Sequence, residues 1–197
     1  MQGKEFHLAK QVDTLTAKAR RTRQNILWAA RDILGRKGMD AINVMEVCAE
    51  ADVGRTSFYN YFDDIDALVD AVAVDAASVM KAQFDALHLG EPRGLPRLEE
   101  CLRMLLTAGS EDPATMMLLT TLATQEGPIR DLLRNEIVQE LERPDQQEDD
   151  ATCLKAEFLT SVVLALSRDI ASGRATSGSI PGFVSMMMAS AVTQRSI

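Results

Sequence analysis

The sequence predicts an all-α fold. Three observations carry this. Apolar residues recur at intervals of three and four along most of the chain, as in Ile26, Ala29, Ala30, Ile33 and Leu34. No stretch alternates convincingly at period two. Proline and glycine gather between the periodic stretches rather than inside them. The 197 residues suit one large or two small domains and are ample for a core. Nine helices are predicted.

The first helix is expected from Thr22 to Lys37, with Gly38 where a left-handed C-terminal cap is needed. Trp28 falls off its apolar stripe and is expected to pack against the preceding arm or the next helix. Residues 1–19 read as a frayed, basic arm, in which Lys4, Lys10 and Lys18 lead towards Arg20, Arg21 and Arg23. Val44, Val47, Cys48 and Ala51 share one face of a second helix. Asn43 is placed to cap it, since its side-chain oxygen can accept from free backbone N–H groups. A third, short helix carries Phe58 and Phe62 on a thin apolar side. Its other sides hold Arg55, Thr56, Ser57, Tyr59, Asn60 and Tyr61, all hydrogen-bonding residues. Such a helix suits a DNA major groove. A long fourth helix is expected from Asp64 to Leu87, with Leu68, Val69, Val72, Val79, Met80, Phe84 and Leu87 as its apolar positions. Five more follow near 97–109, 113–125, 128–142, 151–172 and 181–194. Pro113, Pro128 and Pro181 sit near helix starts, where a missing N–H costs little.

The run from Ala51 through Asp52-Val53-Gly54-Arg55-Thr56-Ser57-Phe58-Tyr59-Asn60-Tyr61 to Phe62, followed by Leu68, resembles the signature of TetR-type transcriptional regulators. Upstream, Ile26 to Leu34 and Gly38 are similar to that family's first helix. The resemblance covers about residues 20–72. It implies an arm and helix-turn-helix DNA-binding domain over 1–66 and a ligand-binding and dimerisation domain over 67–197. Arg55, Thr56, Ser57 and Asn60 would read bases. Asn43, Tyr59, Tyr61, Arg21 and Arg23 would hold phosphates of a palindromic, double-stranded operator.

Three residues depart from the family pattern. Asp52 stands for the usual turn glycine, and Asp tolerates the left-handed conformation at some cost. Gly54 stands for a serine and can cap a helix without a side-chain acceptor. Ile65 stands for a lysine that commonly touches a phosphate. Its neighbours Asp63, Asp64 and Asp66 suit a helix N-terminus and repel a phosphate.

Charge divides the chain. Residues 1–62 hold ten Lys/Arg and seven Asp/Glu, a net of +3, whereas 63–197 hold eleven and twenty-two, a net of −11. A polyanion can dock on the first part only. In the second, Met104, Met116, Met117, Leu119, Leu122 and Phe158 lie on the middle helices, where the resemblance implies an effector. Flexible thioethers adapt to varied apolar ligands, and Thr120, Thr121, Gln125 and Ser161 are polar candidates beside them. The last two helices are apolar on more than one side, through Leu159, Val162, Val163 and Leu166, then Phe183, Met186 and Met187. Two apolar sides need two partners, and the resemblance implies that one is a second subunit of a homodimer.

The three cysteines, Cys48, Cys101 and Cys153, are far apart, which fits a reducing cytosol and gives neither a disulfide framework nor a zinc site. His7 and His88 belong to no metal spacing or nucleophile motif, and Asp149-Asp150 reads as a solvated loop and helix start. No catalytic group, metal or cofactor is implied. The first residues lack the apolar core of a signal peptide, and no apolar run approaches the ~20 residues of a membrane span, so a cytoplasmic protein is expected. The reading is a repressor released from its operator by a small, mostly apolar effector. Two rivals stand beside it. One is a small-molecule-binding regulatory adaptor that has weakened or lost DNA binding, which Asp52, Gly54 and Ile65 allow. The other is a helical enzyme, against which the lack of any nucleophile, base or metal constellation argues.

Overall fold

The computed structural model describes residues 17–87, 92–123, 127–142 and 150–192. Among these residues there are nine α-helices and no strand. They are α1 (Ala17–Lys37), α2 (Val44–Glu50), α3 (Arg55–Tyr59), α4 (Ile65–Leu87), α5 (Leu95–Glu111), α6 (Pro113–Leu122), α7 (Pro128–Leu141), α8 (Asp150–Ala171) and α9 (Ile180–Val192). Two short 3-10 turns, Met39–Ala41 and Ser177–Ser179, precede α2 and α9. By its internal contacts the chain divides between Val72 and Ala73, inside α4.

In the N-terminal unit, α1 buries Ile26, Leu27, Ala29, Ala30, Ile33 and Leu34. The helix already includes Ala17, ahead of the expected Thr22, so Lys18, Arg20 and Arg21 lie on a helix and not in a frayed arm. Alanine and arginine favour helix, and Thr22 is carried inside it by donating its hydroxyl to Lys18 O, 3.1 Å away. Lys4, Lys10 and His7 fall outside the described residues. Trp28 is 66% exposed, which corrects the expectation that it packs against the next helix. Gly38 takes a positive φ of 79° and ends the helix, its N–H donating to Leu34 O at 3.0 Å. Phe58 and Phe62 complete this core with Val47, Cys48 and Leu68.

In the C-terminal unit, α8 is the hub. Helices α5, α6 and α7 all pack on it, and α9 lies chiefly against α5. At the closest crossing, a Cβ on Gly109 of α5 would stand 3.1 Å from Ser167 O of α8. The absent side chain is what lets the two helices meet. Asp112 links α5 to α6, its carboxylate accepting from Thr115 N at 3.1 Å. Those bonds, first the side-chain and then the backbone one to Thr115, hold its carboxyl below the usual carboxylate range.

Helix α4 contributes to both cores. Its inner face is Leu68, Val72, Ala76, Met80 and Phe84, while Val79, expected among its apolar positions, is exposed beside Ser78, Ala82 and Gln83.

Candidate functional site

The geometry of the helix-turn-helix follows from four residues. Asn43 is extended and caps α2, its Oδ1 accepting from Glu46 N at 3.0 Å while its Nδ2 donates to Ala41 O at 3.2 Å. Asp52 takes φ 52°, the left-handed value needed to turn the chain, and it is the described non-glycine residue with a positive φ. Val53 N then donates to Cys48 O at 3.0 Å and closes the turn. Gly54 is extended and caps α3 without a side-chain bond.

Five residues of α3 are thereby aimed. Phe58 is wholly buried, and its ring meets Tyr59 edge-on at 5.3 Å and Phe62 at 5.9 Å. One buried ring fixes the rotation of so short a helix. Arg55, Thr56, Tyr59 and Asn60 are then exposed, and Ser57 and Tyr61 are half-buried.

The ion pairs separate spent cations from available ones, which sequence counting cannot do. At the end of α1, Arg36 is bound to Asp32 and lies 3.7 Å from Glu50, and Lys37 is bound to Glu46. Lys18, Arg20, Arg21 and Arg55 form no ion pair among the described residues. Arg23 stacks over the Phe62 ring at 5.3 Å, which brings the basic start of α1 to the residues just beyond α3. Three acidic side chains open α4. Asp64 is consumed as a cap, accepting from Ala67 N at 2.7 Å, while Asp63 and Asp66 are exposed and Ile65 is half-buried.

The proposed effector residues do not gather around one cavity. Met116 and Leu122 are buried in the core of the unit, and Met104, Met117, Leu119, Thr120 and Thr121 are half-buried. Thr120 spends its hydroxyl on Met116 O and Met117 O, at 2.9 and 3.2 Å. Phe158 is 54% exposed, on the outer side of α8. Ser161 is exposed there too, accepting from Arg130 at 2.6 Å and donating to Glu157 O. Gln125 falls outside the described residues. The dimer-face residues also divide. Leu159, Val163 and Met187 fill the core of their own chain, Val162, Leu166 and Phe183 are half-buried, and Met186 is 60% exposed. The exposed apolar positions that continue this outer face are Leu154 and Phe158 on α8 and Val192 on α9.

Two features went unread in the sequence. Glu136 and Glu140, one turn apart on α7, are both buried. Glu140 accepts from Gly94 N at 2.8 Å and pairs with Arg97 at 3.1 Å. Glu136 lies 3.5 Å from Lys81 of α4, which also binds Asp85. Between them is a hollow of about 10 Å3, against Phe84, Leu102 and Leu133, with the Cys101 thiol pushed up to about 12 by burial and then by Glu140. The signal was two glutamates interleaved with Leu133 and Ile137 on an apolar helical face. The second feature is a groove of about 550 Å3 between α5 and α9.

Residues 26–72 match the family profile described as bacterial regulatory proteins, tetR family. No curated protein matches the chain. Among solved structures, a TetR-like transcriptional regulator from Rhodococcus sp. RHA1 is 20% identical, with a TM-score of 0.61, covering 86% of this chain and 93% of its own. The fatty acid degradation regulator FadR from Bacillus halodurans is 11% identical at TM-score 0.66, with coverages of 88% and 97%. NalD, described as the secondary repressor of the MexAB-OprM multidrug efflux pump in Pseudomonas aeruginosa, is 14% identical at TM-score 0.64, with coverages of 88% and 96%. At these identities the likeness is one of fold. No described helix is long and apolar enough to cross a membrane.

Proposed function

We propose, from the match of residues 26–72 to the tetR family of bacterial regulatory proteins, that the chain works as a cytoplasmic, homodimeric repressor, released from a palindromic operator by a small, mostly apolar effector. The observation that carries the reading is the sorting of α3, with Phe58 inside and Arg55, Thr56, Tyr59 and Asn60 outside. Arg55, Thr56, Ser57 and Asn60 are the proposed base readers. Arg21, Arg23, Tyr59, Tyr61 and Asn43 are the proposed phosphate contacts, with Asn43 the weakest, because its cap bonds leave it only one free N–H. The protomers would join through the outer sides of α8 and α9, around Phe158 and Met186. An effector shifts such a dimer only by its differential affinity for the two states.

The second reading, a ligand-binding adaptor that has lost DNA binding, draws on Asp52, Asp63 and Asp66, exposed carboxylates on either side of α3. Footprinting of the effector-free protein on the DNA flanking its own gene, titrated with salt, decides between the two. A protected palindrome whose affinity falls steeply with salt is expected. No protection at low salt by a folded dimer, with none gained in Ile65→Lys, would favour the adaptor.

A further inference from the structure

Glu99, Arg103, Thr107 and Ser110 follow one another at helical intervals along one face of α5 and form one wall of the groove against α9. The opposite side and floor come from Ile180, Val184, Ser185 and Met188 of α9, with Ser177 of the turn before it. The gap has a simple origin. Gly109 commits α5 to a close crossing with α8. On the α9 side the facing residues Thr107, Ser110, Ser177 and Ser185 are short, and none of them spans the remaining space. The groove, of about 550 Å3, opens to solvent along the exposed Arg103, Ser110, Ser177 and Ser185. It falls within the roughly 300–1,000 Å3 of small-molecule sites.

The lining selects the ligand class. The floor is apolar, with Ile180 and Val184 buried and Met188 half-buried. Ser110 donates to Thr107 O at 2.8 Å, which leaves its oxygen free to accept. The hydroxyls of Thr107, Ser177 and Ser185 form no hydrogen bond among the described residues. Arg103 lies 2.5 Å from Glu99 and 3.4 Å from Glu100. Two carboxylates against one guanidinium leave no positive charge for an anion. The geometry points to a small-molecule site between α5 and α9, for an uncharged amphiphile that lays an apolar body on the α9 floor and meets the wall hydroxyls with oxygen or amide groups. This site does not depend on DNA binding.

The test is fluorescence titration of the full-length chain with the uncharged, solvatochromic naphthalene ketone prodan. Ser110 and Ser185 are exposed at the groove, so Ser110→Leu and Ser185→Leu each fill it without touching the core. Expected is saturable binding at one site per chain, weakened at least about tenfold in each variant and unchanged in Ser78→Leu at an exposed position of α4. The anionic dye anilinonaphthalene sulfonate should not displace prodan. Equal affinity in all four proteins, or no saturable binding, would overturn the proposal. So would binding that appears only when the protein is diluted to monomers, since the groove would then belong to a second copy.

Discussion

Helices α3 and α8 teach opposite lessons. In α3 one aromatic ring points inward and every other side chain is polar or aromatic-polar, so a single buried Phe58 determines what faces out. In α8 both sides are apolar. Ala156, Leu159, Val163 and Ile170 are buried, while Leu154 and Phe158 are exposed. The inner stripe even contains the buried polar residues Thr160 and Ser167, with Thr160 donating to Ala156 O at 2.7 Å. Where polar and apolar residues alternate with helical period, the inward side is readable. Where two apolar stripes compete, only the neighbours decide.

The sharpest way to break this contrast is to truncate the same residue type in each helix. Phe58→Ala should destabilise the N-terminal unit by about 4 kcal/mol, the cost of a large void in a closed core. Phe158→Ala should leave protomer stability nearly unchanged and weaken self-association. Denaturant unfolding and sedimentation equilibrium check the two. A stable Phe58→Ala, or a Phe158→Ala that unfolds, would reverse the assignment of inner and outer faces.

Glu140→Gln should cost about 3 kcal/mol, because it removes the buried carboxylate that pairs with Arg97 at 3.1 Å. Thermal unfolding measures this. A smaller loss in the double variant Arg97→Met, Glu140→Gln would confirm that an orphaned charge is the cause. Arg55→Ala, by contrast, should leave stability unchanged and weaken operator binding by about 2 kcal/mol if it reads a base. Its loss should depend on operator sequence, whereas Arg21→Ala should weaken binding to every sequence alike and reduce the salt slope.

The smallest expected effect is at the α6 cap. Asp112→Ala should cost about 1 kcal/mol at neutral pH. The folded carboxyl titrates below its ordinary range because Thr115 donates to the charged form. Its stabilisation is therefore present above the unfolded-state value and is lost as pH falls through the lowered, folded one. The gap between wild type and variant should close in acid, and a constant gap would remove the cap from the account.

The existence and order of the helices were legible, since each apolar period ended at a glycine, a proline or an acidic cap. Asp52 and Gly54 behave as their chemistry requires, one left-handed and the other extended. Three things were not legible. The extension of α1 ahead of Thr22, through Ala17 to Arg21, depends on helix propensity in a polar segment that lacks an apolar signal. The pairing of Arg36 and Lys37 with acids on and beside their own helix cannot be counted from net charge. The effector residues were chosen by residue type on the middle helices. The rotation of α8 sends Phe158 and Ser161 outward, and the groove instead lies where short side chains of α5 and α9 fail to meet.

Helix α4 is one hydrogen-bonded rod shared by two cores, Leu68 and Val72 serving one and Ala76, Met80 and Phe84 the other. A chain cut between Val72 and Ala73 would divide the 23 residues of α4 into pieces of 8 and 15, and isolated helices shorter than about 12–15 residues are marginal in water. The two halves are therefore not separable cargo. If either is ever recombined with a foreign partner, the crossover belongs outside Ile65–Leu87, so that the whole of α4 travels with whichever half inherits it.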